Sequence, residues 1–312
     1  GNMVFENDEL DDFVICRSDG TPTYNFVVVV DDITMNINTI IRGDDHVMNT
    51  PKQILLYKAL GSPLPAFGHV PMVLGNDRAR LSKRHGAMSV TAYRDMGFLP
   101  EAFINYLVRL GWSHGDQEFF TRDELIEVFN LENIGRSPGV FDLDKLQALN
   151  AEHIMAASPQ DLVAPLKPFM EKAGVEVEAG DYIWQVIETL QPRSKTLADM
   201  AEAALFYYQS DIAYDEKAAK KFLKAAALEP LQLLADKLET LEDYTQSGLE
   251  DVFKAVMDAT ELKLGKIAQP VRVALTGRTA SPGNFEIIAI LGKERVLPRL
   301  KKAIQFIEAR QD

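Results

Sequence analysis

Hydrophobic and polar positions divide the chain into two halves of different texture. Residues 24–30, Tyr-Asn-Phe-Val-Val-Val-Val, form a nearly continuous β-branched run, the pattern of a strand buried on both faces of a parallel sheet. Further strands are expected over residues 37–41 and 69–74, and a short alternating one at Met3 and Phe5. Between the two later strands, Asn-Thr-Pro at 49–51 opens a helix, with Thr50 as N-cap and Pro51 at its first position. Ile54, Leu55, Tyr57 and Leu60 keep helical spacing there, and Gly61 closes it. Ser-Asp-Gly-Thr-Pro-Thr at 18–23 is a turn by composition. Helical stretches follow at 90–96, 100–110 and 121–129, the last with Thr121 and Glu124 fitting a capping box. From Asp142 onward the pattern is almost entirely helical, punctuated by Pro159, Pro192, Pro230 and Pro282. An α/β part followed by an all-α part indicates separate domains, and the strand signals stop near 150–158.

Composition narrows the class. At 312 residues the chain can bury more than one core, and its 46% apolar and 25% charged content are those of an ordinary globular protein. No apolar run approaches the roughly 20 residues of a membrane span. The single cysteine, Cys16, excludes an internal disulfide framework, and the five histidines show no ligand spacing, so no protein-bound zinc is expected. The start of the chain reads as the interior of a longer protein. The net charge of −13 argues against indiscriminate nucleic-acid binding but is uneven. Residues 229–261 carry 2 Lys/Arg against 9 Asp/Glu, a net of −7, and residues 262–312 carry 10 against 4, a net of +6. The second stretch is a candidate RNA contact or a set of solvated helix faces.

The candidate chemistry sits in the first half. Arg-Leu-Ser-Lys-Arg-His-Gly at 80–86 follows a Gly-Asn-Asp turn at 75–77. Its cations Arg80, Lys83 and Arg84, with Arg78 just before it and the Ser82 hydroxyl, suit a polyphosphate. Upstream, Ile-Arg-Gly-Asp-Asp-His at 41–46 joins a predicted strand to a predicted helix. Arg42, at the strand end, can grip a carboxylate with two parallel hydrogen bonds, or form an ion pair with Asp44 or Asp45. No Walker-type loop and no G-x-G-x-x-G is present. Asp31-Asp32 and Asp44-Asp45 read as turn residues, and Tyr207, Tyr208, Trp112 and Trp184 as core.

These motifs, in this order, resemble the bacterial-type glutamyl-tRNA synthetases of class I. The resemblance is carried by residues 17–26, Val-Val-Asp-Asp at 29–32, residues 41–46 with Asn-Thr-Pro, and the basic loop. Asn-Tyr-Leu at 105–107, Leu-Gly-Trp-Ser at 110–113 and Val-Phe-Asp at 140–142 add to it. So do Lys-Leu-Gly-Lys at 263–266, residues 269–277, Ser-Pro-Gly at 281–283 and residues 291–295. It implies α/β plus all-α architecture: residues 1–22 the tail of an acceptor-binding insertion, and 23–88 the second half of a Rossmann-like nucleotide-binding domain. Residues 89–150 would be a stem-contact region and 151–312 a helical anticodon-binding domain.

The implied activity is ATP-dependent activation of glutamate to glutamyl-adenylate and transfer to the 3′ end of tRNA. Tyr24 and Arg42 match glutamate-binding positions, and main-chain groups of Met72, Val73 and Leu74 would meet adenine. Arg80, Lys83 and Arg84 would bind ATP, with Lys83 the catalytic cation and Ser82 supporting the loop. Magnesium would accompany ATP. The expected partners are tRNA, glutamate and ATP, for a cytoplasmic monomer without membrane contact. The class's His-x-Gly-His signature is absent from these 312 residues. The chain is therefore expected to carry half of the active site and to be inactive alone. Two other classes remain open: a nucleotidyltransferase that uses no tRNA, and a non-catalytic tRNA-binding module.

Overall fold

The computed structural model describes residues 3–82 and 89–310. The first elements are α1 (Tyr24–Thr34), β1 (Thr39–Gly43), α2 (Thr50–Ala59), β2 (Ala66–Val70), α3 (Val90–Asp95), α4 (Pro100–Arg109) and α5 (Arg122–Val128). Helices follow without another strand among the described residues: α6 (Leu143–Ala156), α7 (Pro159–Lys172), α8 (Asp181–Leu190), α9 (Leu197–Tyr208) and α10 (Glu216–Phe222). The last four are α11 (Leu228–Thr240), α12 (Gln246–Thr260), α13 (Leu264–Thr276) and α14 (Asn284–Glu308), the last broken at Gly292. Contacts group the chain into two compact units, Gly1–Ser89 with Phe103–Leu146, and Val90–Ala102 with Gln147–Asp312.

In the first unit, β1 and β2 pair in parallel, with α2 as the crossover between them and Arg42 opposite His69 in register. The β-branched run does not form the expected strand. Residues 24–34 are helix α1. A run without alternation fits a buried strand and a buried helix equally, and packing decides. Phe26, Val29 and Ile33, at helical spacing, meet Leu56 and Tyr57 of α2. Asn25 and Asp32, also on that side, accept hydrogen bonds from Gln53 Nε2 (3.1 Å) and the Tyr57 hydroxyl (3.2 Å). The small helix-propensity cost of the valines is overridden by that contact.

Other local expectations shift by a few residues. The strand expected at 69–74 lies at Ala66–Val70, because Pro71 ends the ladder. Thr50 is already helical and Asn49 stands at the N-cap, which frees the Thr50 hydroxyl for a different partner. The buried face of α2 is Gln53, Leu56 and Tyr57, while Leu60 is 46% exposed. Around Met3 and Phe5 there is no strand, only a 3-10 turn at Asn7–Glu9. The 18–23 turn forms as read, with Gly20 at φ +84°. So does the capping box: the Thr121 hydroxyl accepts from Glu124 N–H, and the Glu124 carboxylate accepts from Thr121 N–H. Trp112, Phe120 and Leu125 form a small core behind it.

The second unit is helical around one large core. Leu166, Met170, Ile187, Met200, Val271 and Leu300 are each 0% exposed within it. Tyr207 is buried there as expected, and Trp184 packs against it. Asn150, also fully buried, accepts from Leu99 N–H (2.8 Å) and donates to Lys195 O (2.6 Å). No helix among the described residues is long and apolar enough to cross a membrane.

Candidate active site

The carboxyl ends of parallel strands are where an open α/β layer presents ligand-binding side chains. Arg42 leaves that end of β1. Its Nη2 donates to Thr50 Oγ1 at 2.7 Å, its Nε donates to His69 Nε2 at 3.4 Å, and its guanidinium lies 5.7 Å from the Phe67 ring centre. Thr50 Oγ1 is also 3.0 Å from His69 Nε2 and donates to His46 O at 3.3 Å. The alternative ion pair of Arg42 with Asp44 or Asp45 is not formed. Asp45 pairs instead with Arg80 at 3.1 Å, and no carboxylate of the described residues pairs with Arg42. Burial, then the charges of Arg42 and His46, push the His69 pKa below its ordinary value, against a smaller opposing effect of Asp44.

Tyr24 opens α1 and is 53% exposed, its ring 6.1 Å from that of His46. His46 is held through Nδ1 by the Asn49 amide at 3.1 Å. Tyr24, His46, Thr50 and Arg42 therefore form one continuous group. Thr50, His46 and His69 are the members that motif reading passes over. Their signal is the strand register, which places His69 beside Arg42 and is invisible in either segment alone.

The basic loop is entered through a tight turn. Gly75 N–H bonds Ala79 O, Asp77 Oδ1 accepts from Ala79 N–H, and Arg78 adopts φ +60°. Leu74 gives its N–H to Gly139 O (2.9 Å) and its carbonyl to Phe141 N–H (2.8 Å), while Val73 O accepts from Leu81 N–H. Gly139 fits here only because it has no Cβ, which would run into the Leu110 backbone. Met72 and the Val73 N–H are the main-chain groups of this stretch outside those bonds. Ser82 is half-buried, and Lys83 and Arg84 lie outside the described residues.

In the helical unit most cations of residues 262–312 have partners within the fold, Arg299 in the core and others, such as Arg278 and Lys301, in ion pairs on solvated faces. Arg299, 4% exposed, donates to the carbonyls of Leu275 (2.8 Å), Phe206 (2.7 Å) and Gln209 (2.7 Å). Burial pushes its pKa down to about 10. Arg295 bonds Tyr207 O and the Tyr182 hydroxyl, and Lys302 bonds Ile212 O and Asp211. These three lie on one face of α14, where Arg295 and Arg299 neutralise the carboxyl ends of α9 and α13 and Lys302 ties down the segment after α9. Lys301 pairs with Glu239, Arg278 with Glu202, and Lys293 bonds Glu239 O.

A different cationic feature remains. Arg193 donates to Ser281 O (2.7 Å) and Arg272 to Ser281 Oγ (2.9 Å). Burial, then the Arg193 charge, lowers the Arg272 pKa. Arg193 and Ser281 line a cavity of about 440 Å³ with Glu202, Gln209, Thr276 and Arg278.

Residues 1–148 match the family described as tRNA synthetases class I (E and Q), catalytic domain, and residues 161–304 match an anticodon binding domain. The chain belongs to the class I tRNA synthetases of this glutamate and glutamine group. Its relatives are more particular. It is 61% identical over 308 residues to the glutamate–tRNA ligase of Desulfosudis oleivorans and 56% identical over 308 residues to that of Geobacter sulfurreducens, each alignment covering 99% of this chain and 66% of the relative. Among solved structures, it superposes on a glutamate tRNA ligase from Elizabethkingia meningosepticum, crystallised in complex with its amino acid. The TM-score is 0.84 at 29% identity, covering 96% of this chain and 63% of that one. The chain thus spans just under two thirds of the length of the curated relatives it matches.

Proposed function

We propose that this chain is part of a glutamate–tRNA ligase. In the reaction, a carboxylate oxygen of glutamate attacks the α-phosphorus of ATP and pyrophosphate leaves. The terminal ribose hydroxyl of tRNA then attacks the acyl carbon of the adenylate and AMP leaves. The observation that supports this best is Arg42, a cation at a strand end held only by neutral groups, its charge left for a substrate carboxylate. Tyr24 would border the same substrate. The adenine edge would meet Met72 and the Val73 N–H, since both main-chain groups of Leu74 are taken. Lys83, with Arg80, Arg84 and the Ser82 hydroxyl, would stabilise the charge that develops on the phosphates.

The described residues offer Mg²⁺ no cage. No three His, Cys, Asp or Glu side chains converge among them, and Asp45 is committed to Arg80. A metal ion would instead travel on the triphosphate, and no step is assigned to it. The tRNA anticodon would lie against the Arg193–Arg272 pair, two guanidinium groups that repel each other and share no carboxylate contact among the described residues. Residues 1–22, 23–88, 89–150 and 151–312 would serve as insertion tail, nucleotide-binding half, stem contact and anticodon-binding domain, in a cytoplasmic monomer.

Arg42→Lys in a protein carrying the whole catalytic domain tests the reading. Lysine keeps the charge but loses the fork. Glutamate-dependent ATP–pyrophosphate exchange should lose about 1.5–3 kcal/mol in kcat/KM for glutamate. Unchanged glutamate kinetics would remove Arg42 from the substrate site.

A further inference from the structure

A guanidinium has two edges able to take a carboxylate in parallel: the side-on edge, formed by Nε–H and one Nη2–H, and the end-on edge, formed by Nη1 and Nη2. In Arg42 the first is filled, by His69 at Nε and Thr50 at Nη2, and the two acceptors are themselves 3.0 Å apart. We propose that His69 and Thr50 are positioning residues for glutamate: they close the side-on edge of Arg42 and leave the end-on fork as the one that reads the substrate carboxylate. The proposal rests on Arg42 being the glutamate-binding cation.

The proton inventory constrains the pair. An arginine N–H can only donate, so His69 Nε2 must be an acceptor. The imidazole is then neutral, with its proton on Nδ1. The Thr50 hydroxyl accepts from Arg42 and gives its own proton to His46 O or to His69 Nε2. Thr50 is itself 9% exposed, so water does not easily replace it. Both partners are uncharged, so they fix the direction of the guanidinium without neutralising it. A carboxylate in place of His69 would hold Arg42 equally well and cancel the charge the substrate needs.

Protonating His69 would remove the acceptor and set a second cation against Arg42. The groups around the ring are Arg42 from β1, Asp44 and His46 from the turn after it, and Thr50 from α2, while Arg136 lines the cavity that His69 also borders. Only Asp44 favours the charged ring, and burial outweighs it. Arg42 should therefore lose its alignment as pH falls through the His69 pKa, which lies below the ordinary value.

The test is glutamate-dependent pyrophosphate exchange by a protein carrying the whole catalytic domain, with separate KM values for glutamate and ATP from pH 5.5 to 8. His69→Leu removes the acceptor, Thr50→Val removes the hydroxyl, and His69→Gln keeps an acceptor that does not titrate. His69→Leu and Thr50→Val should raise the glutamate KM by about tenfold to 100-fold, the scale of a misplaced binding group, with the ATP KM unmoved. His69→Gln should recover most of the loss and abolish the acid-side rise in glutamate KM that the unaltered protein is expected to show. Equal changes in both KM values, or a lowered melting point with unchanged glutamate KM, would make His69 merely structural and overturn the proposal. An Arg42→Ala control separates the two levels. If it raises the glutamate KM while His69→Leu and Thr50→Val do not, the positioning role falls and the Arg42 assignment stands. If Arg42→Ala has no effect either, both fall together.

Discussion

Arg299 shows how far a residue's chemistry can depart from its place in a charge count. It is one of ten cations in residues 262–312, yet it is buried and gives its hydrogen bonds to three carbonyls near the ends of two helices. Arg299→Met should leave those acceptors without donors. Each orphaned carbonyl costs about 1–3 kcal/mol, partly offset by no longer burying a charge, so a net loss of ~3–5 kcal/mol is expected. Denaturant unfolding followed by far-UV circular dichroism measures it. Arg295→Met, at an exposed position on the same helix, should cost less, and equal losses would contradict the account. None of this was legible in sequence, because a buried and a solvated arginine are written alike. Arg42 was legible as a candidate, since it stands where a strand gives way to a turn. Its holders were not, because the contact between Arg42 and His69 is a matter of register.

At the scale of elements, the signals that were read correctly are those with a local mechanism. Pro51 at the start of α2, Gly61 after it, and the Thr121–Glu124 box each follow from backbone chemistry within a few residues. Thr121→Ala should accordingly destabilise the protein by about 1 kcal/mol, the usual value of such a cap. Thermal unfolding should show it, and a loss above several kcal/mol would mean that Thr121 does more than cap α5. Helix α1 was misread because its pattern has no such local signature. What separates its two conformations is the partner face of Leu56 and Tyr57, together with the fit of Asn25 to Gln53 and Asp32 to Tyr57. Those pairings were present in the sequence as a seven-residue spacing of polar positions inside an apolar run.

For the whole molecule, the net charge of −13 and the pairing of most C-terminal cations within the fold leave few groups for a polyanion. Binding of the glutamate tRNA should therefore depend on a small number of arginines. Arg193→Ala should weaken it and reduce the log–log salt slope by roughly 0.7–0.9, the value of one neutralised phosphate. Lys301→Ala and Lys302→Ala should change the slope little, since both cations already face carboxylates. A salt titration of tRNA binding by the three variants decides it. A larger effect of the two lysines would return the RNA contact to α14.

The buried guanidinium also sets a schedule. Helix α9 ends at Tyr208, but the side chain that satisfies its terminal carbonyls comes 93 residues later, counted from Phe206 to Arg299. At a synthesis rate of about 5–20 residues per second, that interval lasts roughly 5–19 s. During it the end of α9 exists on the ribosome without its cation, so the helical unit cannot reach its final packing until almost all of it has been made.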